Sequence, residues 1–514
     1  MQALWQGVLV AATPSHLLWA LAGCMLGTAL GVLPGVAPSA LMAALLPLTF
    51  HIEMTPALIF LVAMLCGGMY GGSTASILLN MPGQSASAVT AREGHRMALN
   101  GRAGVALATA ALGSFVAGCL ATLVVVVLAP WAAQMVDRLG PAEIFMLMVM
   151  ALGAVCVAMG HSTLRGVTAL FVGIAWACVG LEPVSGVERL TAGQPWLRDG
   201  VEVVVVVVGL LLVAQVLHAA MFEGAVRSTL NTVGLVRLSR QDCKRSWRPW
   251  LRGAAIGVPL GCVPLGGVEM PTYVSYAAER YMVRPAYQQE FGREGAIEGV
   301  AGPEAANNAS VTAALIPLLV MGIPTSNATS VLLTGLHNYG ITPGPQWFTG
   351  GYGLVWVLLA SLLIANAMLL VLNLPLVRMW RPLLRIARPS LYACLLLVAM
   401  AGVYGLRHNL WDVGMLYVLG GLGVAMRRFD FPVTPLIVGL VLGPQVEMQL
   451  RQALAVGGGQ WSIFVQQPLA LGLLVAVVLL MAGPWVLRGW AQRRMAQARG
   501  TRQGSSDRGH GGEW

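Results

Sequence analysis

Long apolar segments separated by short polar ones make up most of this chain. A helix needs about 20 mostly apolar residues to cross a bilayer, and ten segments reach or approach that length. These segments are Leu17–Leu33, Ala57–Tyr70, Val105–Ala129, Ile144–Met159, Val167–Leu181, Val201–Met221, Leu354–Leu374, Leu391–Gly405, Val413–Ala425 and Pro468–Val486. Their apolar residues are continuous rather than alternating, which excludes a β-barrel. The pattern predicts an all-α polytopic integral membrane protein with about 10 to 14 transmembrane segments or hairpin arms.

Composition and charge agree with membrane embedding. Of the 514 residues, 57% are hydrophobic and 10% are charged, with a mean hydropathy of +0.73, whereas a soluble domain carries about 25% charged residues. The net charge is +10, and the positively charged residues cluster in the short segments Arg92–Arg102, Arg227–Arg252, Arg378–Arg388 and Arg488–Arg508. Such segments mark cytoplasmic loops and tails and lie beside anionic membrane lipids. We therefore expect lipid neighbours, a cytoplasmic C-terminus and no nucleic-acid partner.

Cysteine and histidine residues give no sign of metal or redox chemistry. The eight cysteines are scattered without a C-x-x-C pair, which is typical of buried thiols rather than of a disulfide framework. His161, His218 and His337 are isolated and lack the spacing of a metal-binding motif. The sequence predicts no metal site, no cofactor and no catalytic residues, and therefore a protein that is not an enzyme.

Two regions of the chain share one order of features. In each, a Pro/Gly break is followed by a cluster of small polar residues, an apolar turn or two, and a second break. The predicted helix breaks are Pro34, Gly35, Pro82 and Gly83 in the first region and Pro264, Gly322 and Pro324 in the second. Matched interrupted helices in two halves indicate a transporter binding site. Cations follow the second break in the first region but lie between the breaks in the second, so we predict two pseudo-symmetric, inverted repeats of discontinuous helices or hairpins.

This pattern divides the chain into six parts. They are a first repeat with broken-helix motifs (15–140), connecting transmembrane helices (141–221), a basic cytoplasmic linker (222–250), a second repeat with broken-helix motifs (251–375), a C-terminal transmembrane bundle (376–490) and a basic tail (491–514). The tail is polar, basic and rich in glycine, and is therefore predicted to be disordered.

Polar side chains gather beside the predicted breaks. A helix that begins inside the membrane presents unpaired N–H groups and a partial positive charge, which suit a carboxylate. Nearby hydroxyls and amides can donate to the same anion. The candidate substrate-binding residues are Gly71, Gly72, Ser73, Thr74, Asn80, Asn307, Asn308, Ser310, Thr325, Ser326 and Asn327. In the alternative interpretation, the small residues allow close helix packing, the hydroxyls bond their own backbone, and the amides brace the broken helices.

Glu304 and Glu269 are the acids next to the breaks of the second region. A carboxylate at membrane depth can bind Na⁺ or carry a proton; alternatively, it caps a helix at the interface or pairs with Arg280 or Arg293. The cations cluster at segment ends, so none is available inside the membrane to hold an anionic substrate. Because transfer of an uncompensated anion into a low dielectric is costly, we expect a co-transported coupling ion, Na⁺ or H⁺, with Glu304 and Glu269 as the ion-coupling candidates.

Three blocks of sequence carry a family resemblance. They are YGGSTASILLNMPG at 70–83, EFGREGAIEGVAGPEAANNAS at 290–310, and ALIPLLVMGIP followed by GITPGP within 314–345. In this order they resemble the large permease subunit of the tripartite tricarboxylate transporters (TTT), the TctA family, over residues 18 to 445. The resemblance implies a secondary transporter of the bacterial inner membrane that takes up a carboxylate anion by cation symport. It also implies two partners, a small four-span membrane subunit (TctB-like) and a periplasmic solute-binding protein (TctC-like).

The chain departs from the family pattern at two breaks. Where members commonly carry Pro-Gly-x-Gly, this chain has Pro264-Leu-Gly-Gly, and Thr325 replaces the second glycine of Gly-Ile-Pro-Gly-Ser. The added hydroxyl and Cβ of Thr325 change the pocket at that turn, so the particular carboxylate is not implied. Two other classes stay open. An integral membrane enzyme acting on a lipid-linked substrate needs a reactive constellation that the sequence lacks, and a passive anion channel needs no paired discontinuous helices.

Overall fold

Almost all of the structure is helical in the computed structural model of this protein. The structure describes residues 2–33, 36–158, 162–182, 185–222, 236–263, 269–349, 353–376, 379–380, 382–383 and 388–483. The predicted breaks at Pro34, Gly35 and Pro264 lie outside the described residues, as do positions 223–235 of the predicted linker and the predicted tail 491–514.

The described residues form 23 α-helices and one short β-hairpin. The helices are α1 (Gln2–Ala11), α2 (Pro14–Gly31), α3 (Pro38–Thr49), α4 (Met54–Leu79), α5 (Ala88–Met97), α6 (Ala103–Val136), α7 (Pro141–Ala158), α8 (Thr163–Ala177), α9 (Val203–Val208), α10 (Ala214–Phe222), α11 (Arg240–Cys262), α12 (Glu269–Met282), α13 (Pro285–Gln288), α14 (Glu298–Ala313), α15 (Leu315–Met321), α16 (Asn327–Asn338), α17 (Gln346–Thr349), α18 (Gly353–Asn373), α19 (Arg388–Arg407), α20 (Leu410–Arg428), α21 (Val433–Val456), α22 (Ile463–Gln466) and α23 (Pro468–Gly483). The hairpin pairs β1 (Gly180–Leu181) with β2 (Glu188–Arg189) in antiparallel register.

The number of membrane-length helices agrees with a polytopic protein. Within the described ranges, nine helical segments are long and apolar enough to cross a bilayer. The helices α1 and α2, joined at a 76° bend, bring the number to ten if they are taken as one interrupted span. The predicted all-α polytopic class is therefore confirmed; among the described residues, the predicted 10 to 14 spans are reached only if α1 and α2 are counted as one span.

Glycines bring α2 into close contact with α4. Gly23, Gly27 and Gly31 are spaced four residues apart, so they share one face of α2. A Cβ on Gly31 would lie 2.5 Å from the carbonyl oxygen of Gly68 in α4, and a Cβ on Gly27 would overlap the backbone of Met64. Small residues in this spacing let two helix backbones approach each other within a membrane.

The same arrangement occurs between α11 and α14. Gly253, Gly257 and Gly261 again share one face, and a Cβ on Gly257 would overlap the carbonyl oxygen of Ala306 and lie 2.9 Å from the Cβ of Ala309. This helix runs without interruption from Arg240 to Cys262. The predicted boundary between residues 250 and 251 consequently falls inside α11.

The contact between α11 and α14 gives a stability prediction. We expect Gly257→Leu to lower the free energy of unfolding by about 1–3 kcal/mol or more, because the new side chain has no space against α14. Gly414→Leu is the matched control, since a Cβ at Gly414 in α20 meets no atom within 4 Å. Thermal melting of the purified protein in detergent measures both, and equal melting temperatures would contradict the packing described here.

Two helical hairpins end beside the middle of a longer helix. The end of α2 and the start of α3 both lie against Gly68, near the middle of α4. In the second hairpin the end of α11 lies against Ser310, near the middle of the continuous α14–α15 segment. Farther from that tip, Arg252 of α11 pairs with Glu279 of α12. The last described turns of α2 and α11 therefore lie about halfway along α4 and α14–α15.

The chain folds back after each of these long helices. The first turn begins at Asn80 (φ 56°), the second at Gly322 (φ 68°), and both residues are in the left-handed conformation that ends many helices. After Asn80 the chain first returns toward the middle of α4. Thr90, near the start of α5, lies level with Ser73 because both bind the carboxylate of Glu304. After Gly322 it also returns, because Gln445 of α21 lies beside Gly322 and His337, at opposite ends of the segment.

The helix α16 consequently begins deep within the protein. Thr434 lies about three turns before Gln445 in α21, and its hydroxyl donates to Oδ1 of Asn327 at 2.7 Å. The extended residues 323–326 carry the chain from the end of α15 to that depth. A connection of this kind is a re-entrant segment, which a membrane tolerates only where protein or a wet cavity surrounds it.

Candidate functional site

Glu304 is the centre of a buried polar cluster formed by three helices. Its side chain is fully enclosed. The Ser73 hydroxyl of α4 donates to its Oε2 at 2.6 Å, and the Thr90 hydroxyl of α5 donates to its Oε1 at 2.6 Å. The carboxylate of α14 therefore joins the long helix α4 to the re-entrant helix α5.

Packing one turn away brings these three side chains together. Gly94 of α5 has no side chain of its own, so Ile77 of α4 and Val300 of α14 fill the space beside it. Residues four positions apart lie on the same helix face. Ile77, Gly94 and Val300 lie four positions from Ser73, Thr90 and Glu304, respectively. The contacts show that α4 and α5 run parallel, with α14 antiparallel to both.

Two adjacent amides continue the cluster along α14. Asn308 donates from Nδ2 to the Ser114 hydroxyl of α6 at 2.7 Å and to the backbone carbonyl of Glu304 at 3.1 Å. Asn307 is fully buried, and neither its Oδ1 nor its Nδ2 has a hydrogen-bond partner. A buried amide without partners costs about 1–3 kcal/mol. Among the described residues, both polar atoms of Asn307 thus keep their hydrogen-bonding capacity.

No cation among the described residues lies beside the carboxylate of Glu304. Among the described residues, no Lys, Arg or His side chain lies within 4.0 Å of its carboxylate. Arg280 and Arg293, the alternative partners considered from the sequence, do not reach it. A buried ionised carboxylate without a counter-charge is costly even when hydrogen-bonded. Within the described part of the chain, the two hydroxyl donors are the partners that stabilise this carboxylate.

Several predicted substrate-binding hydroxyls bond their own helix. Thr74 and Ser310 each donate to a backbone carbonyl in the preceding turn, at 3.3 and 2.9 Å. Ser326 is the N-cap of α16, where its Oγ accepts from the Thr329 N–H at 3.2 Å. For these three residues the structure supplies the backbone role that was the alternative interpretation.

Of the remaining predicted residues, Gly71 serves helix packing, whereas Gly72 borders unfilled space. A Cβ on Gly71 would lie 2.7 Å from the backbone nitrogen of Val32, so Gly71 serves the contact with α2. Gly72 is buried, and a Cβ there would meet no atom within 4 Å. Thr325 is buried at the fold-back into α16.

Asn80 lies apart from the buried cluster. It is exposed at the end of α4 and helps to line an open cavity of about 530 Å³ together with Pro82, Arg92 and Arg96. Its left-handed backbone ends the helix, and its side chain faces this basic opening rather than Glu304.

The structure separates Glu269 from Glu304. Glu269 is the exposed first residue of α12. The buried acid of that helix is Glu279, and Arg252 holds it in an ion pair through two hydrogen bonds. Of the two predicted ion-coupling acids, only Glu304 is buried in a polar cluster.

The sequence did not reveal Thr90 or Ser114. Both are fully or almost fully buried hydroxyls within helices, where such residues usually bond the preceding turn. Their partners lie 214 and 194 residues away in the chain. The polar residues of α14 were the one available signal, because their side chains need donors from neighbouring helices.

The fold and this buried polar cluster are those of a multi-pass membrane transporter. The model of the "Tripartite tricarboxylate transporter TctA family" matches residues 17–438, which is most of the chain. The chain therefore belongs to the TctA family of tripartite tricarboxylate transporters, and the resemblance seen in the sequence is confirmed.

Two curated relatives from Agrobacterium vitis are similar to this chain. An uncharacterized 52.8 kDa protein in the TAR-I ttuC' 3' region is 40% identical over 469 residues, covering 91% of this chain and 93% of that protein. An uncharacterized protein in the TAR-II ttuC' 3' region is 39% identical over 230 residues, covering 44% of this chain and 93% of that protein. No solved structure matches the chain.

Proposed function

We propose that this chain is the large permease subunit of a binding-protein-dependent secondary transporter in the bacterial inner membrane, with its C-terminus in the cytoplasm. It takes up a carboxylate anion, of the tricarboxylate type or similar, by cation-coupled symport. Its partners are a small four-span membrane subunit and a periplasmic solute-binding protein. The family membership supports the transporter class, and the site supports the coupling.

The observation that carries the proposal is the buried, uncompensated carboxylate of Glu304. It has two hydroxyl donors and no cationic partner among the described residues. A site of this kind gains a cation or a proton more readily when an anionic substrate is also present, because the two charges compensate each other in a low dielectric. The coupling of anion to cation is thus a consequence of charge balance.

The carboxylate substrate binds where helices begin inside the protein. The helix α16 is capped by Ser326, deep beside α21, and its N-terminus carries a partial positive charge in addition to the Thr329 N–H that the Ser326 hydroxyl already binds. The unpartnered amide of Asn307 offers two further donor hydrogens and an acceptor. These neutral and partly positive groups replace the absent Arg or Lys.

The two halves correspond as inverted repeats. Each half has a hairpin packed by three glycines onto a long helix, followed by a left-handed turn and a re-entrant segment. The turns match in sequence as well. A proline follows two positions after the left-handed residue in each, as Pro82 after Asn80 and Pro324 after Gly322. Because α4 and α14 are antiparallel, equivalent parts face opposite sides of the membrane. Such repeats support alternating access around a shared central site.

The proposal is tested by uptake into proteoliposomes that contain all three components. We expect accumulation of at least one radiolabelled carboxylate from a panel of succinate, malate, tartrate and citrate. Accumulation should stop when the Na⁺ and H⁺ gradients are both collapsed by ionophores, because the buried carboxylate requires a co-transported cation. Liposomes with the large subunit omitted are the control.

Two outcomes would contradict the proposal. Equilibration of the carboxylate without dependence on an ion gradient would indicate a passive channel. Chemical conversion of the carboxylate, or of a lipid-linked substrate, without net transport would indicate an enzyme.

A further inference from the structure

A small polar cavity lies beside the Glu304 cluster. Its volume is about 10 Å³, which is the space needed for one water molecule or an ion of similar size. The polar residues that line it come from three helices and are Tyr70, Ser73, Thr74, Ser114 and Asn373. Of these, Tyr70 and Asn373 belong to neither the substrate nor the coupling residues discussed above.

Two of the lining oxygens have no hydrogen-bond partner among the residues that the structure describes. The Tyr70 hydroxyl and the Asn373 Oδ1 are both buried and make no hydrogen bond, and each side chain is 3% exposed. Asn373 does donate from Nδ2 to the Leu369 carbonyl at 3.0 Å, which fixes its amide and leaves the oxygen unused. Buried polar atoms are rarely left unpaired, so this cavity is built to hold a species that accepts oxygen ligands.

The other lining oxygens also keep lone pairs available. The Ser73 hydroxyl donates to Glu304, the Thr74 hydroxyl donates to a backbone carbonyl, and the Ser114 hydroxyl accepts one bond from Asn308. A hydroxyl oxygen carries two lone pairs, so each retains capacity toward a ligand. The cavity therefore presents up to five uncharged oxygens and no positively charged side chain.

Two sources of negative potential act on this cavity. The carboxylate of Glu304 is one hydrogen bond away through Ser73, at 2.6 Å. Asn373 is the last residue of α18, and a helix C-terminus carries a partial negative charge that favours cations. A neutral water molecule gains little from these charges, whereas a cation gains from both.

From this geometry we propose that the cavity lined by Tyr70, Ser73, Thr74, Ser114 and Asn373 is a binding site for a monovalent cation of the size of Na⁺. Oxygen ligands are those that hard cations prefer. The small volume disfavours larger ions, and the single nearby carboxylate provides one negative charge rather than the two that a divalent ion requires. This inference deepens the function proposed above, because it assigns the coupling ion and its ligands.

The test is binding of ²²Na⁺ to the purified full-length protein at constant pH and ionic strength, with choline as the replacement ion. We expect saturable binding that unlabelled Na⁺ displaces and K⁺ displaces poorly. Tyr70→Phe removes one oxygen and keeps the ring, so the affinity for Na⁺ should fall about tenfold. Thr74→Val is a second isosteric variant with the same expectation. Tyr281→Phe is the control, since Tyr281 is 90% exposed.

The possible results separate this inference from the function on which it rests. Absence of saturable ²²Na⁺ binding in the wild type would show that the cavity holds water only, and would overturn the inference. Unchanged affinity in both folded variants, with the wild-type melting temperature, would also overturn it. Carboxylate uptake driven by a proton gradient in Na⁺-free medium would reject Na⁺ and leave the proposed symport intact. Failure of uptake under every ion gradient would reject the proposed symport itself.

Discussion

Replacing Glu304 with Gln should abolish carboxylate uptake while the protein still inserts and folds. The amide keeps the size of the side chain, accepts from one of the two hydroxyls through its oxygen and donates to the other through its nitrogen, but it removes the negative charge. A unit charge 4 Å from a cation contributes roughly 4 kcal/mol at an effective dielectric of 20, so uptake should fall about a thousandfold. Initial uptake rates in the three-component proteoliposomes measure this loss.

The control for this variant is Glu294→Gln, an exposed acid in the loop before α14. We expect wild-type uptake from it. Wild-type uptake by Glu304→Gln, at equal amounts of inserted protein, would remove Glu304 from the transport mechanism.

Replacing Arg245 with Met should cause the largest loss of stability in the second half of the chain. Arg245 of α11 binds Glu298, the first residue of α14, through two hydrogen bonds of 2.8 Å. It also binds Glu290 at 2.7 and 3.1 Å and stacks on the Tyr287 ring at 3.8 Å. Without it, two largely buried carboxylates lie together without a counter-ion, which costs about 3–5 kcal/mol. Chemical or thermal unfolding in detergent measures the change.

The neighbouring residue Arg248 provides the matched control. It is exposed and has no acidic partner among the described residues. We expect Arg248→Met to change the free energy of unfolding by no more than about 0.5 kcal/mol. A similar small effect of Arg245→Met would mean that the three-residue ion cluster does not hold α11 and α14 together.

Hydrophobic patterning predicted the fold class but not the depth that each helix reaches. The segment Leu17–Leu33 reads as a full span, and most of it forms α2. The end of α2 nevertheless lies beside Gly68, near the middle of α4, where the chain turns back into α3. The length of an apolar segment shows whether it is long enough to span the bilayer. Its actual path depends on contacts with helices far away in the chain.

The candidate site was predicted on two of its three helices, with Ser73 on α4 and Glu304 on α14. Glu304 and the adjacent amides were recognisable because carboxylates and amides are rare and costly inside a membrane. Their partners Thr90 and Ser114 were not, because a hydroxyl in a small-residue helix more often satisfies its own backbone. Tertiary packing alone decides which hydroxyls are turned toward a distant carboxylate.

The two acids of the second half illustrate the same limit. Glu269 lies five residues from Pro264 in sequence, yet it is exposed at the start of α12. Glu279, one helix length later, is the buried acid, because Arg252 lies opposite it on α11. Proximity to a predicted break in the sequence therefore gave no measure of how deeply an acid is buried.

The central claim is that the charge of Glu304 couples the anion to a cation, and thermodynamic linkage tests it most directly. The measurement is equilibrium binding of the transported radiolabelled carboxylate by the purified three-component complex, with Na⁺ exchanged for choline and at two pH values. In the wild type, the coupling cation should raise the affinity for the carboxylate about 5- to 150-fold. In Glu304→Gln, the affinity should be low and independent of the cation. The account would be contradicted if Glu304→Gln retained the full cation dependence of the wild type.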